Sequence, residues 1–268
     1  PNGWWQYDVY LRDLTGVPTT LLVSHSSTSP LQTGNLGSES HRISHDGSRV
    51  VYLTNATDIE SGVTDTNSTG LDLVSFEIDA IANRNRYLSV QSSAPSSGNA
   101  DSSRTEQSLS DDGRYEVFSS NASDLVDGDS NGTTDVFLRD LQNGTTTLIS
   151  RTSGGGSANN SSHYAVISGD GNYVAFYSYA TNLDVPGTNS TSGYSQIYRW
   201  HRGSGQIELI SVNSSDSDGG DYYSLYPSIS GNGQRIAYQS LAQDLIPGLN
   251  DPNGWWQYDV YLRDLTGV

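Results

Sequence analysis

The sequence predicts an all-β fold: a β-propeller of four four-stranded antiparallel blades, closed by mixing N- and C-terminal strands. Three observations carry that expectation. Four segments align without gaps: ISHDGSRVVYLTNATDI from Ile43, LSDDGRYEVFSSNASDL from Leu109, ISGDGNYVAFYSYATNL from Ile167 and ISGNGQRIAYQSLAQDL from Ile229. Their markers Asp46, Asp112, Asp170 and Asn232 stand 66, 58 and 62 residues apart, the period of a repeated supersecondary unit. Between turn residues the apolar positions alternate with period two, and no stretch has the 3.6-residue period of a helix.

Each unit divides into strands in order. The aligned segment carries a turn of the form Ser-x-Asx-Gly followed by a strand, and its Asp-Gly or Asn-Gly pair predicts a two-residue type I′ hairpin. Asp58, Asp124, Asn182 and Asp244 follow that strand and are expected to cap the turn leaving it. A third strand begins at Asp72, Asp135, Ser195 and Asp259, and a fourth follows in NRYLSVQSS, TTTLISRTS, QIELISVNSS and, near the start, TTLLVSHSS from Thr19. Four antiparallel strands per unit make a propeller blade.

The segment YPSISGNGQRIAYQS from Tyr226 to Ser240 resembles the PD40, or TolB-like, propeller repeat: a proline, an apolar-Ser-x-Asx-Gly turn, then an aliphatic and aromatic strand. The resemblance extends over all four units, although the first three lack the proline. It implies the fold. Function varies among such propellers, which serve as protein-binding platforms, substrate gates and surface modules.

Residues 1–17, PNGWWQYDVYLRDLTGV, recur unchanged as residues 252–268. The units have diverged too far for this to be ordinary blade similarity, so it implies a second repeat of 251 residues containing all four. Residues 1–268 are expected to form one propeller, with one copy of the closing segment surplus. That surplus suggests propellers in tandem or strands exchanged between neighbours. An eight-bladed ring made from two such halves, or a plain overlap of the sequence ends, explains it equally.

Composition narrows function. The net charge of −17 arises from 30 acidic residues against 13 basic ones, all arginine. Such a surface disfavours nucleic acid, whose phosphates require clustered cations, and suits divalent cations. No apolar run approaches a membrane span. Cysteine is absent, which excludes disulfides and thiolate chemistry. The histidines His25, His41, His45, His163 and His201 have no zinc spacing and accompany no nucleophile elbow, so no enzymatic activity is expected.

Three sets of candidate site residues remain. DGDSNGTTD, from Asp127 to Asp135, puts Asp127, Asp129, Asn131 and Asp135 at relative positions 1, 3, 5 and 9 with glycine at 6. With the Thr133 carbonyl they could wrap Ca²⁺, a spacing that resembles integrin-type propeller loops and EF-hands; a solvated Asx-rich turn is the other reading. The equivalent loops decay: Asp251, Asn253 and Asp259 keep part of the pattern and Asp65, Asn67 and Asp72 are further off register, so a single site is expected. Sequons at Asn55, Asn67, Asn121, Asn143, Asn159, Asn160, Asn189 and Asn213 suggest a glycosylated, extracellular or cell-surface chain; Asn131 is a ninth, and cannot carry a glycan while ligating calcium. Trp4, Trp5, Trp255 and Trp256 could anchor a neighbouring unit or stack on a sugar, or pack between blades. Together these lead to an expected structural module, tandem or strand-linked, in a surface fibre or layer, partnered by its own kind. A glycan- or protein-binding propeller is the alternative, and a propeller accessory to a hydrolase the third reading.

Overall fold

The computed structural model describes residues 6–78, 83–185, 193–252 and 256–267. Among these the chain is all β, in six antiparallel sheets. A two-stranded sheet pairs β1 (Tyr10–Asp13) with β2 (Thr19–Leu22), and a small one pairs β3 (His25–Ser26) with β4 (Ser29–Thr33). The first large sheet holds β5 (Ser38–Ile43), β6 (Arg49–Thr54), β7 (Asp72–Glu77) and β8 (Arg84–Tyr87). The second holds β9 (Ser102–Ser103), β10 (Tyr115–Ser120), β11 (Asp135–Asp140) and β12 (Thr145–Leu148). The third holds β13 (Ser162–Ile167), β14 (Tyr173–Ser178), β15 (Gln196–His201) and β16 (Ile207–Leu209). The last has three strands: β17 (Ser224–Ile229), β18 (Arg235–Ser240) and β19 (Asp259–Asp264).

The sheets stack face to face because alternate residues of each strand enter different cores. On β10, Tyr115 and Val117 join Ile167, Val174, Phe176 and Trp200 of the third sheet, whereas Phe118 joins Val51, Leu53 and Leu73 of the first. Val9 and Val23 pack on Val50, Tyr52, Val74 and Phe76. Ile197 and Ile210 meet Ile229, Ile236 and Tyr238.

Asx side chains hold each unit together, but not as expected. Asp58 Oδ1 accepts from the Asn35 amide at 2.9 Å, while Asn35 Oδ1 accepts from the Thr57 amide at 2.9 Å. The same reciprocal pair recurs as Asp124 with Asn99, Asn182 with Asn159, and Asp244 with Asp221. These residues therefore staple the loop entering the inner strand to the loop leaving the second strand, rather than capping their own turn.

The hairpins also differ from the expected type. Gly47, Gly113, Gly171 and Gly233 have φ of 74°, 64°, 69° and 69°, yet the Asx before each has ordinary negative φ. A type I′ turn would need both residues left-handed. The loops are instead type I turns followed by a left-handed glycine, closed by bonds such as Gly47 N–H to the Ser44 carbonyl at 3.0 Å. Each Asx accepts the preceding serine hydroxyl, at 2.6 Å for Asp46, Asp112 and Asp170, which makes the type I turn the cheaper solution. The tips also join sheets: a Cβ on Gly233 would lie 2.2 Å from the Tyr173 ring, and the Asp170 N–H donates to Gly231.

Among the described residues, the first copy of the duplicated segment does not close a ring. Asp259–Asp264, the second copy, takes the place beside β18, in register Tyr238↔Tyr261, while β1 pairs with β2. The two copies bury opposite faces. Val9 is 3% exposed and its counterpart Val260 is 74% exposed; Tyr10 stands out in solvent while Tyr261 packs on Tyr238.

Candidate functional site: the inner strands and their tyrosines

The edge strands β5, β9, β13 and β17 converge, and residues 104–107, which follow β9, tie them together. Arg104 Nη1 donates to the Ser40 carbonyl at 2.6 Å, the Thr105 hydroxyl to Ala165 at 2.7 Å, and Gln107 Nε2 to Ile229 at 2.5 Å. Residues of the second sheet thus reach all three others. Beneath them Arg104 Nε pairs with Glu116 Oε1 at 3.1 Å, both side chains almost fully buried.

Three of the inner strands carry a bulge at the same place, each with a non-glycine residue at positive φ: Ser40 at 51°, Tyr164 at 56° and Tyr226 at 51°. Such backbone costs about 1–3 kcal/mol and re-aims a side chain. At two of the three the side chain is tyrosine. Tyr164 and Tyr226 meet edge to face with centroids 5.1 Å apart, and both are nearly half exposed.

They form the rim of a larger aromatic surface. Tyr177 contacts Tyr226 and Tyr179; Tyr179 contacts Tyr223, which packs on Tyr194 and Tyr222. Tyr258 feels the same tyrosines, Tyr226 first among them after burial, and its phenol is raised. Burial pushes Tyr177 up to about 12 and lowers His163, which stacks on Tyr177 at 5.5 Å. Both shifts favour the neutral form of the side chain concerned. A recess lined by Arg104, Phe118, His163, Tyr164 and Tyr177 opens beside it. The signal for this surface in the sequence is the pair of runs YSYA from Tyr177 and DYYSLY from Asp221.

The predicted calcium loop is only partly assembled. Asp129 and Asp135 are buried, and their carboxylates interact; burial first, then the neighbouring charge, pushes Asp135 up to about 7. Asn131 Oδ1 accepts from the Thr133 amide at 2.9 Å. Asp127 is exposed and accepts from the Ser92 hydroxyl at 3.1 Å. Among the described residues no three His, Asp or Glu stand together as a metal cluster. Asp72 is likewise buried and pushed up to about 7, with Asp65 raising it, so the loop read as off register repeats the arrangement.

The sequons divide by what their amides do. Asn55, Asn67, Asn143 and Asn159 donate through Nδ2 to Thr69, Ala100, Asp140 and Thr181, and Asn213 binds its own turn. The exposed Asn121 and Asn160 use their side-chain oxygens, accepting from Thr134 and Ser161. Asn189 lies outside the described residues, as do Trp4, Trp5 and Trp255. Trp256 is 90% exposed.

No family model and no curated protein matches the chain. Solved structures do. A putative TolB from Agrobacterium tumefaciens is 16% identical, with a TM-score of 0.48 over 97% of this chain and 71% of its own. TolB from Acinetobacter baumannii is 17% identical at TM-score 0.45, over 97% and 47%. The β-propeller domain of the Trilobed protease from Pyrococcus furiosus, described as having an open velcro topology, is 12% identical at TM-score 0.45, over 85% and 54%. These likenesses bear on fold and not on activity. They also correct one expectation: the structures it resembles include TolB, the tricorn protease, prolyl endopeptidases and an oligogalacturonate lyase, and none of these points to a surface fibre or layer module. The fourfold turn motif and the antiparallel sheets that it opens carry the architecture, and the chain has a TolB-like propeller fold.

Proposed function

We propose that this chain is a non-catalytic propeller domain that binds a protein segment on the tyrosine surface of its third and fourth sheets. The observation that carries this reading is the pair of strained tyrosines, Tyr164 and Tyr226, held half exposed at equivalent bulges. Tyrosine offers a large, rigid contact area with a polar tip and only two rotatable bonds, which suits protein recognition. A patch built of tyrosine rings on a chain of net charge −17 favours a neutral peptide over a strongly charged one. In this reading residues 1–268 are one unit of four blades, with the inner strands carrying the site.

A peptide library selected on the chain, beside a glycan array, tests the proposal. Selected peptides should lose at least about tenfold in affinity against Tyr164→Ala/Tyr226→Ala, the effect of removing aromatic anchors. Glycan hits without peptide hits, or peptides indifferent to the double variant, would sink it.

A separate observation favours self-association as a second property. Identical residues bury Val9 against the first sheet and leave Val260 and Leu262 exposed on β19. The C-terminal face thus presents an apolar strip, and the matching strip of a second copy is the occupant that covers it. Sedimentation should reveal concentration-dependent dimers that Val260→Asp/Leu262→Asp abolishes; a monomer at millimolar concentration would refute it. An extracellular location accompanies the proposal and rests on the sequons; no described helix is long and apolar enough to cross a membrane.

A further inference from the structure

One polar side chain opens the third strand of each large sheet, capped by a serine from the loop after strand four. Ser89 donates to Asp72 Oδ1 at 2.9 Å, Ser150 to Asp135 Oδ1 at 2.6 Å and Ser211 to Gln196 Oε1 at 2.5 Å. The same serines accept the N–H of Leu73, Val136 and Ile197. The three sheets therefore solve one local problem, with one difference. In the third sheet the residue is glutamine, and its Nε2 donates to the carbonyls of Gly220 and Tyr222 at 2.8 and 3.2 Å. In the other two it is aspartate, which has no donor to offer.

What faces those aspartates makes the deficit larger. The preceding loop brings a second carboxylate, Asp129 to Asp135 and Asp65 to Asp72. Asp135 has no exposed surface and Asp129 is 9% exposed, yet Asp135 Oδ2, Asp129 Oδ1 and Thr133 Oγ1 have no hydrogen-bond partner. In the first sheet Asp65 Oδ2 and Asn67 Oδ1 are buried and unpartnered too. All five are oxygens. Buried polar atoms are almost always satisfied, and two facing carboxylates with spare oxygens are relieved either by a shared proton or by a cation.

We propose that each of these two loops binds one hard divalent cation of the calcium class. Asp129, Asp135, Asn131 and Thr133 hold it in the second sheet, and Asp65, Asp72 and Asn67 in the first. Oxygen donors of mixed type, on loops free to adjust, suit the six to eight ligands of Ca²⁺ better than the rigid octahedron of Mg²⁺. Two carboxylates per site set the affinity near that of extracellular modules, about 10⁻⁴–10⁻³ M. Asp127 is not required, and the third sheet binds nothing because Gln196 supplies its donor internally.

The test uses the whole chain, stripped with chelator and titrated with CaCl₂ alone. Equilibrium dialysis should count two calcium ions per chain, and 10 mM calcium should raise Tm by about 5 °C. Asp135→Gln, which installs the third sheet's residue, should lose one ion, and Asp72→Gln the other. The double variant should bind none, with a calcium-free Tm no lower than that of the unaltered chain. No bound calcium in the unaltered chain overturns the proposal without recourse to any variant. So does an unchanged count in the double variant. One ion, lost in Asp135→Gln, upholds the second-sheet site and overturns the first-sheet site.

Discussion

Replacing Arg104 by alanine should destabilise the chain by about 3–5 kcal/mol, the usual cost of leaving a buried charge without its partner. Arg104 Nε pairs with Glu116, Nη2 donates to Ser108 at 2.7 Å and Nη1 donates to the Ser40 carbonyl of the neighbouring sheet. Ser108 in turn donates to Glu116 Oε1 at 2.7 Å. Burial raises the Glu116 carboxyl, and the Arg104 charge is the largest influence opposing that rise. Without Arg104 the folded chain must keep an unpaired carboxylate or take up a proton. Urea unfolding at pH 7 measures the loss, and Arg104→Met/Glu116→Leu should recover much of it, since an apolar pair of similar volume often matches a buried ion pair. A single-variant loss below about 1 kcal/mol would mean that the inner strands do not depend on this tie.

The second large effect is a stability that falls with rising pH in the calcium-free chain. Asp72 and Asp135 are pushed up to about 7 from an ordinary 3.8, burial being the first cause for both. A carboxyl raised on folding holds its proton more tightly in the folded state. Its contribution is full below about pH 4 and is lost as pH rises through about 7. Each shift corresponds to on the order of 4 kcal/mol, as an upper bound. Hydrogen bonds and salt bridges lower Asp46, Asp140, Asp170 and Asp264, and these withdraw stability only at pH below 3.8. The calcium-free optimum should therefore lie on the acid side, near pH 4–6. Urea midpoints in chelator at pH 5 and pH 8 decide it: a higher midpoint at pH 8 contradicts the burial of these two carboxyls.

The repeat was legible because hairpin chemistry recurs. Ser-x-Asx-Gly marks the same turn in each unit, and the alternation that follows it predicts β6, β10, β14 and β18. The turn type was misjudged because Asx-Gly reads as type I′ when only the pair is considered. The serine two residues earlier decides otherwise, by bonding the Asx side chain. Ring closure was misjudged because identical residues fit two places, and which face each copy buries depends on the sheet beside it. The carboxylate loop from Asp127 to Asp135 was visible as spacing, yet its most buried member, Asp135 with Ser150, depends on a strand pairing that spacing does not encode. The tyrosine surface was the least legible. Its residues come from β13, β14, β17 and the loops between them, and only convergence of the inner strands brings them together.

The central claim is that the tyrosine surface is where this propeller meets its partner. Isotope-labelled chain titrated with a library-selected peptide tests it directly by chemical-shift mapping. The largest shifts should fall at Tyr164, Tyr177, Tyr226 and Tyr258. Shifts concentrated at residues 127–135 or on β19, with these tyrosines unmoved, would contradict it.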